Sequence, residues 1–243
     1  MGKENTNLPL EKYVGLLRRR LENPERKDII VPSAKEKKAY SVTLLGSGPI
    51  ITDVGEFKLY IFQVDDEWGN YEVLTYGGDP EALAEKPSLF VRIDSGCESG
   101  QTFHDRTCDC REQLHLAMAR CVVEGGGAII HIPSQDGRGQ GSAFKMATLD
   151  LQEAFNLDTL TAFRLLGKEI DIRTYEGAVA TMLFLGIGSK HPIALGTNSP
   201  HKVEVITKAG IAIDRTVAIK IPPTELTKRH FQAKKGLGHN LDI

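Results

Sequence analysis

Apolar and polar residues follow two rhythms along this chain. Over the first stretch, Leu10, Val14, Leu17 and Leu21 recur at helical spacing, and the charged run from Glu22 to Asp28 follows. That run reads as a solvated helix face, so residues 1–41 are expected to form a helical arm used for packing or oligomer contacts. From Tyr40 the period shortens. Tyr40–Leu45, Phe57–Phe62 and Tyr71–Tyr76 are rich in β-branched and aromatic residues and are bounded by Gly, Pro and Asp, which predicts strands. Beyond Arg111 the two patterns alternate. A helix is expected from about Arg111 to Glu124, ending on Gly125, Gly126 and Gly127, and then a strand over Ala128–Ile132. A glycine-rich turn leads to a helix over Ser142–Phe155, followed by a helix near Thr174–Leu185, a strand at Ile193–Leu195 and a helix over Pro200–Ala209. Strand-rich beginnings followed by such alternation predict an α/β fold with a mixed sheet.

Composition narrows the class. The 243 residues are 41% hydrophobic and 26% charged, enough to bury a core in one large domain or two small ones. A net charge of −2 gives no general attraction to nucleic acid or membrane, and no apolar run approaches the roughly 18 residues of a membrane span. The start, Met1–Thr6, lacks the apolar centre of a signal peptide. Together with free thiols this predicts a reducing, cytoplasmic setting.

The chemistry concentrates in Cys97, Cys108 and Cys110. Three thiolates with one long and one minimal gap suit a tetrahedral Zn²⁺ whose fourth position is left to water. The competing reading is core packing, or a disulfide with a spare thiol. Cys121 falls in the apolar run Ala117–Val123 and reads as core. Two loops at expected strand-to-helix junctions could hold phosphate. In Ser134–Gly141 the glycines let backbone amides approach an anion and Arg138 offers a fork of donors; the alternative is an ordinary tight turn. In Thr197–Lys202, Thr197 or Ser199 could cap a helix while Lys202 neutralises a phosphate; the alternative is a cap with a solvated lysine.

The cysteine trio, the Asp136–Gly139 loop, Ile170–Tyr175 and Thr197–Lys202 occur in an order and spacing that resemble GTP cyclohydrolase II. The resemblance runs from about Val42 to the tail, where Lys234–His239 is similar to the family's closing Lys-x-x-Gly-His. It implies a catalytic domain over 42–243 with a three-layer α-β-α arrangement, and a homodimer. It also implies that GTP loses carbon 8 of guanine as formate and its outer phosphates as pyrophosphate, leaving a diamino-ribosylamino-pyrimidinone phosphate. One zinc per chain on Cys97, Cys108 and Cys110 would activate water, and Mg²⁺ would accompany the triphosphate. Asp171 matches the family's proton acceptor. Arg173 matches the residue assigned to attack the α-phosphate, although a guanidinium with a pKa above about 12 is better suited to an electrostatic part. Arg92, Gln113, Asp136, Gly137, Arg138, Thr159, Thr197 and Lys202 match the family's GTP-contacting set.

The departures concern the same neighbourhood. The family's Arg-Val-His-Ser-Glu-Cys stands here as Arg92-Ile-Asp-Ser-Gly-Cys97, so Asp94 and Gly96 replace a histidine and a carboxylate, and Asp94 is a candidate to compensate. A tyrosine expected after the second loop aligns with Leu149, and leucine can neither place water nor relay a proton. Three outcomes are compatible: ring opening of GTP, complete or stopping at the formamide; a divergent enzyme of another pathway such as uracil degradation; or a zinc-containing nucleotide-binding protein without turnover. Asp171 and Arg173 weigh against the last, and ring opening of GTP ranks first.

Overall fold

Proline sets the first boundary of the fold. In the computed structural model, which describes residues 8–32 and 37–240, helix α1 (Leu10–Glu22) stops where Asn23 leaves helical geometry and Pro24 follows. Proline lacks the N–H a helix needs and disfavours helical backbone just before it. The charged run expected as a helix face therefore turns into strand β1 (Glu25–Pro32), and the stretch expected as a helical arm supplies one helix, one strand and the start of a second strand. Met1–Thr6, read above for a leader, lies outside the described residues. Strands β2 (Lys37–Thr52), β3 (Gly55–Val64) and β4 (Asn70–Tyr76) contain the three predicted β segments, and β1–β4 form an antiparallel meander. The expected boundary at Val42 falls inside β2.

The remainder alternates as predicted, with elements the pattern did not reveal. In order come α2 (Pro80–Ala84), β5 (Leu89–Ser95), α3 (Glu98–Gln101), α4 (Cys110–Val123), β6 (Gly127–Ile132), α5 (Ser142–Phe155), α6 (Thr159–Leu165), α7 (Glu176–Phe184), β7 (Ile193–Gly196), α8 (Pro200–Lys208), β8 (Ile213–Val217) and α9 (Lys228–Gly236). The strand order is β1-β2-β3-β4-β6-β5-β7-β8; β4 runs antiparallel to β6, while β6, β5, β7 and β8 are mutually parallel. This is the expected α/β fold with a mixed sheet. Among the described residues no helix is long and apolar enough to cross a membrane.

Helices cover both faces of the sheet. Ala178, Val179 and Met182 of α7 and Val205 and Ile206 of α8 pack with Val91, Ile93, Ile130 and Leu195 on one face. Ala117 and Cys121 of α4 pack with Phe57, Phe90 and Ile129 on the other, so Cys121 is core as expected. The end of α4 shows why glycine is needed there. Gly125, at φ +66°, donates its N–H to Val122 O and Gly126 donates to Cys121 O, closing the helix in a Schellman arrangement.

Two consequences position the site. First, alternation along β5 puts Val91 and Ile93 on the α7 face and turns the buried Arg92 and Asp94 to the α4 side. Second, the chain leaves β5 for β6 on one side and later returns to β7 on the other, so the loops after all three strands gather at one edge, the usual place for a ligand in such sheets.

Gly177, in the first turn of α7, lies against the β3–β4 turn so closely that an added Cβ would overlap Asp66 Oδ2 and Tyr71 Oη. Both oxygens belong to a partly buried hydrogen bond, Tyr71 to Asp66, of 2.5 Å. Gly177→Ala is expected to lower the unfolding free energy by about 1–3 kcal/mol, read as a reduced midpoint in urea with an unchanged slope.

Candidate functional site

The loops following β5, β6 and β7 surround a cavity of about 410 Å³, within the range of about 300–1,000 Å³ usual for small-molecule sites. Its wall includes Cys97, Cys108 and Cys110, and also Arg92, Gln113, Asp136, Gly137 and Arg138. Thr159, Arg173, Thr197 and Lys202 complete the sequence-predicted set there. Asp171 is the exception, reaching the site only through Arg173.

The sulfurs converge because of local backbone. Cys97 follows β5 through Gly96, whose added Cβ would stand 2.5 Å from Pro133 O and 2.7 Å from Ile132 O. No side chain fits at Gly96, so the glutamate of the family pattern has no room on this backbone. Cys108 precedes α4 and Cys110 begins it. The three Sγ atoms lie within 4.8 Å of one another. Cys97 and Cys108 Sγ are 3.8 Å apart, far beyond the roughly 2.05 Å of a disulfide, so the disulfide alternative is excluded. Gly100 of α3 backs onto the cluster; a Cβ there would meet Cys108 Sγ at 2.6 Å and Cys97 Sγ at 3.0 Å.

Ionisation of the trio is shared unequally. Hydrogen bonding from Cys108 and Cys110, with Lys145 beside it, drives the Cys97 thiol far down. Cys108, although Cys110 donates to it, is pushed up to about 11 by Cys97 and by burial. Cys110 is raised further by its two sulfur neighbours. Three such thiols become thiolates together only around a cation, and an all-sulfur donor set in a glycine-backed cradle fits a soft, tetrahedral ion such as Zn²⁺. Lys145, which no local motif singles out, donates to Cys97 Sγ at 2.9 Å and Ser99 Oγ at 2.7 Å, and pairs with Asp136 at 3.2 Å.

Asp94 is 2% exposed. Its Oδ1 accepts from Arg92 Nε at 3.2 Å and Nη2 at 3.0 Å, and its Oδ2 from Gln101 Nε2 at 2.8 Å, with His131 Nδ1 at 3.0 Å. Burial acts to raise its pKa, but His131 and Arg92 outweigh it and hold the carboxyl far below its usual range. A carboxylate so saturated fixes Arg92, which leaves it poorly placed to compensate for Leu149 by relaying a proton. From Arg92 the network continues to Gln113 Oε1 at 3.0 Å, and Gln113 donates to Asp109 at 2.6 Å. Asp109 also takes Lys234 Nζ at 2.5 Å and meets His230 Nε2 at 3.1 Å, which ties α9 to the loop between two of the cysteines. His239 joins the cavity wall, where burial and Lys234 push its pKa down to about 4.

The phosphate-loop candidates both line the cavity. Arg138 adopts left-handed backbone at φ +59°, and its guanidinium stands 5.9 Å from the Phe163 ring; burial and Arg173 push its pKa down to about 10. Thr197 Oγ1 accepts from Ser199 N at 3.0 Å, so the hydroxyl shapes the turn, and Ser199 stands at the N-cap of α8 without a side-chain cap bond. Lys202 is not solvated. It is buried, and its Nζ donates to Ile93 O at 2.8 Å; burial together with Arg92 and Arg173 pulls its pKa well down. Thr159 begins α6 and donates to Gln152 Oε1 at 2.9 Å. Leu149 of α5 lies in the wall beside Thr148 and Gln152. Arg173 grips Asp171 through Nε at 2.8 Å and through Nη2. Burial would raise the Asp171 pKa, and Arg173 reverses the shift. Burial would also discharge Arg173, but Tyr175 and Asp171 raise it further.

Comparisons with known proteins place the chain in a family. A family model described as GTP cyclohydrolase II matches residues 46–218. The riboflavin biosynthesis protein RibBA of Phocaeicola vulgatus is 35% identical over 78% of this chain and 45% of its own length. The chain thus spans a little under half of that relative. A protein named GTP cyclohydrolase-2 from Saccharophagus degradans is 33% identical over 82% of this chain and 96% of its own. Among solved structures, RibBX of A. baumannii, a two-domain 3,4-dihydroxy-2-butanone 4-phosphate synthase, aligns with a TM-score of 0.40 and 14% identity over 90% of this chain and 50% of that one.

Gly100 offers a direct test of the metal cradle. Gly100→Ala is expected to abolish stoichiometric zinc and the thiolate-to-metal absorption of a cobalt-loaded sample, because the new methyl overlaps two sulfurs, while far-ultraviolet circular dichroism stays unchanged. Full zinc content in that variant would contradict the cradle.

Proposed function

The chain belongs to the GTP cyclohydrolase II family, and from that premise we propose that it opens the imidazole ring of GTP, releasing pyrophosphate and, fully or partly, formate. One observation carries the reading: the three-sulfur cluster and the cations of both phosphate loops share a single cavity. A nucleotide bridging them presents its base to one side and its phosphates to the other. Zinc held by Cys97, Cys108 and Cys110 supplies a Lewis acid and water of lowered pKa when bound.

The chain's own groups divide the remaining tasks. Lys202 is buried beside Arg92 and Arg173, and among the described residues its hydrogen-bond acceptor is a backbone carbonyl, so an incoming phosphate relieves the cost of its charge. Arg138, lowered by burial and by Arg173, gains in the same way. Arg173 stays charged under its pairing with Asp171, which suits it to stabilise charge on the α-phosphate and makes it a poor nucleophile. For Asp171 to accept a proton its bond to Arg173 must loosen, and the phosphate is the group that would draw Arg173 away. Mg²⁺ on the triphosphate, a homodimer and a cytoplasmic setting belong to the same reading and rest on the family alone.

Leu149 gives the reading its specific form. Release of formate requires water and a proton to be placed on a formamide less electrophilic than the intact ring. A positioned group contributes roughly a hundredfold or more to such a step. Asp94, saturated by Arg92, His131 and Gln101, does not supply it. The formylated pyrimidine nucleotide is therefore proposed as a major product.

Mass analysis of GTP and Mg²⁺ incubated with the purified protein tests this. A formamidopyrimidine nucleotide is expected at early times, and Leu149→Tyr is expected to raise the formate yield. Stoichiometric formate with no formylated intermediate would show Leu149 to be silent, and unaltered GTP would overturn the reading altogether. Lys202→Ala is expected to raise KM about tenfold or more, the equivalent of about 1.4 kcal/mol, with a smaller effect on kcat; Asp171→Ala is expected to act mainly on kcat.

A further inference from the structure

The segment carrying Asp171 and Arg173 belongs to neither helix nor strand, so no backbone ladder holds it. A side chain from the turn between β3 and β4 does. Trp68, the chain's one tryptophan, lies in the turn between β3 and β4 and is 8% exposed. Its Nε1–H donates to Thr174 Oγ1 at 2.7 Å, and the Thr174 hydroxyl in turn donates to Glu67. The carbonyl of the same Trp68 accepts from Ser134 Oγ at 2.9 Å, at the start of the Arg138 loop. Gln135 then closes the circuit, donating from Nε2 to Thr174 O at 2.8 Å.

Packing repeats what the hydrogen bonds do. A Cβ built on Gly139 would lie 2.8 Å from Trp68 Cη2, 2.9 Å from Ile172 Cγ1 and 3.3 Å from Arg173 Cγ, so the ring edge and the stem of Arg173 meet over that glycine. Ile172 N also donates to Arg138 O at 3.2 Å. The tryptophan is itself preset: Asp66 Oδ1 accepts from both Trp68 N and Gly69 N at 3.0 Å. Trp68 does not line the cavity and touches none of the sulfurs, so neither substrate contact nor metal binding explains it.

We propose that Trp68, acting through Thr174, is a positioning residue that holds the Asp171–Arg173 segment in register with the Arg138 loop. The proposal rests on the cyclohydrolase reading for its kinetic consequence and on the geometry alone for its structural one. Catalytic groups must be held to within a fraction of an ångström, and displacement by about 1 Å can cost on the order of a hundredfold. The bond from Trp68 therefore bears on the rate of the step that Arg173 and Asp171 serve, while Lys202 and the cysteines stay in place.

Two variants remove the same hydrogen bond from opposite ends. Trp68→Phe keeps an aromatic ring in the slot, and Thr174→Val keeps the shape of the threonine. Each is expected to lower kcat for GTP about tenfold or more, with KM within about twofold and zinc content unchanged. The double variant is expected to be no slower than the worse single one, since both remove the same bond between Trp68 and Thr174. Unchanged kcat in both, or a joint fall in kcat, GTP affinity and metal content, would overturn the proposal. Amide hydrogen exchange supplies a readout that needs no turnover. Residues 170–175 are expected to exchange faster in both variants while β5 and β6 keep their protection, and unchanged exchange there overturns the proposal. A wild-type protein inactive on GTP would sink the cyclohydrolase reading and leave the exchange result to decide the proposal about Trp68.

Discussion

Everything at the site leans on one buried ion pair in the middle of the sheet, Arg92 with Asp94 at 3.0 Å. Both charges sit on β5, two residues apart and therefore on the same face. An unpaired charge at such depth costs several kcal/mol, which makes incomplete pairing intolerable and full pairing informative. Asp94 draws Gln101 from α3 and His131 from β6; Arg92 draws Gln113 from α4. Gln113 passes the constraint to Asp109, and Asp109 to α9. Gln101 Oε1 also accepts from Cys97 N at 3.0 Å, so the first sulfur is placed by the same chain of bonds. Removing one member leaves the others buried and unmatched, so the elements carrying the site are fixed relative to one another by electrostatics as much as by apolar packing.

Net charge hides this organisation. The chain as a whole carries −2, yet Lys202, Arg173, Arg138 and Lys145 are gathered at one edge of the sheet. Lys145 answers Cys97 and Asp136, and Arg173 answers Asp171, whereas among the described residues Lys202 has no carboxylate in hydrogen-bond contact. The asymmetry is set by three strand ends meeting in space, something that no sum over the sequence registers.

That contrast marks what the sequence could and could not disclose. The cysteine trio and both loops were legible because each is a local cluster whose chemistry needs its residues close in the chain. Helix α5 was legible to the residue, because Gly141 and Asn156 punctuate its ends. Strand β5 was not: Arg92 and Asp94 interrupt its apolar run, and only burial of the ion pair makes it a central strand. Strand β1 was masked by its charges, which an edge strand tolerates on its solvent side. Lys145 and Trp68 gave no signal at all, since their partners Cys97 and Thr174 lie 48 and 106 residues away. The resemblance to a family supplied Asp171 and Arg173, whose local sequence alone suggests a surface turn.

The edge strand has a practical bearing on how the protein can be handled. A version trimmed to begin at Val42, where the family likeness starts, would discard β1 and the first part of β2, and with them the buried side chains of Val31 and Tyr40. Those strands lie against α7, which has almost no polar face, seven of its nine residues being buried. Bared, that flank would offer a greasy surface and an open strand edge side by side, the combination that makes trimmed proteins stick to one another in the test tube.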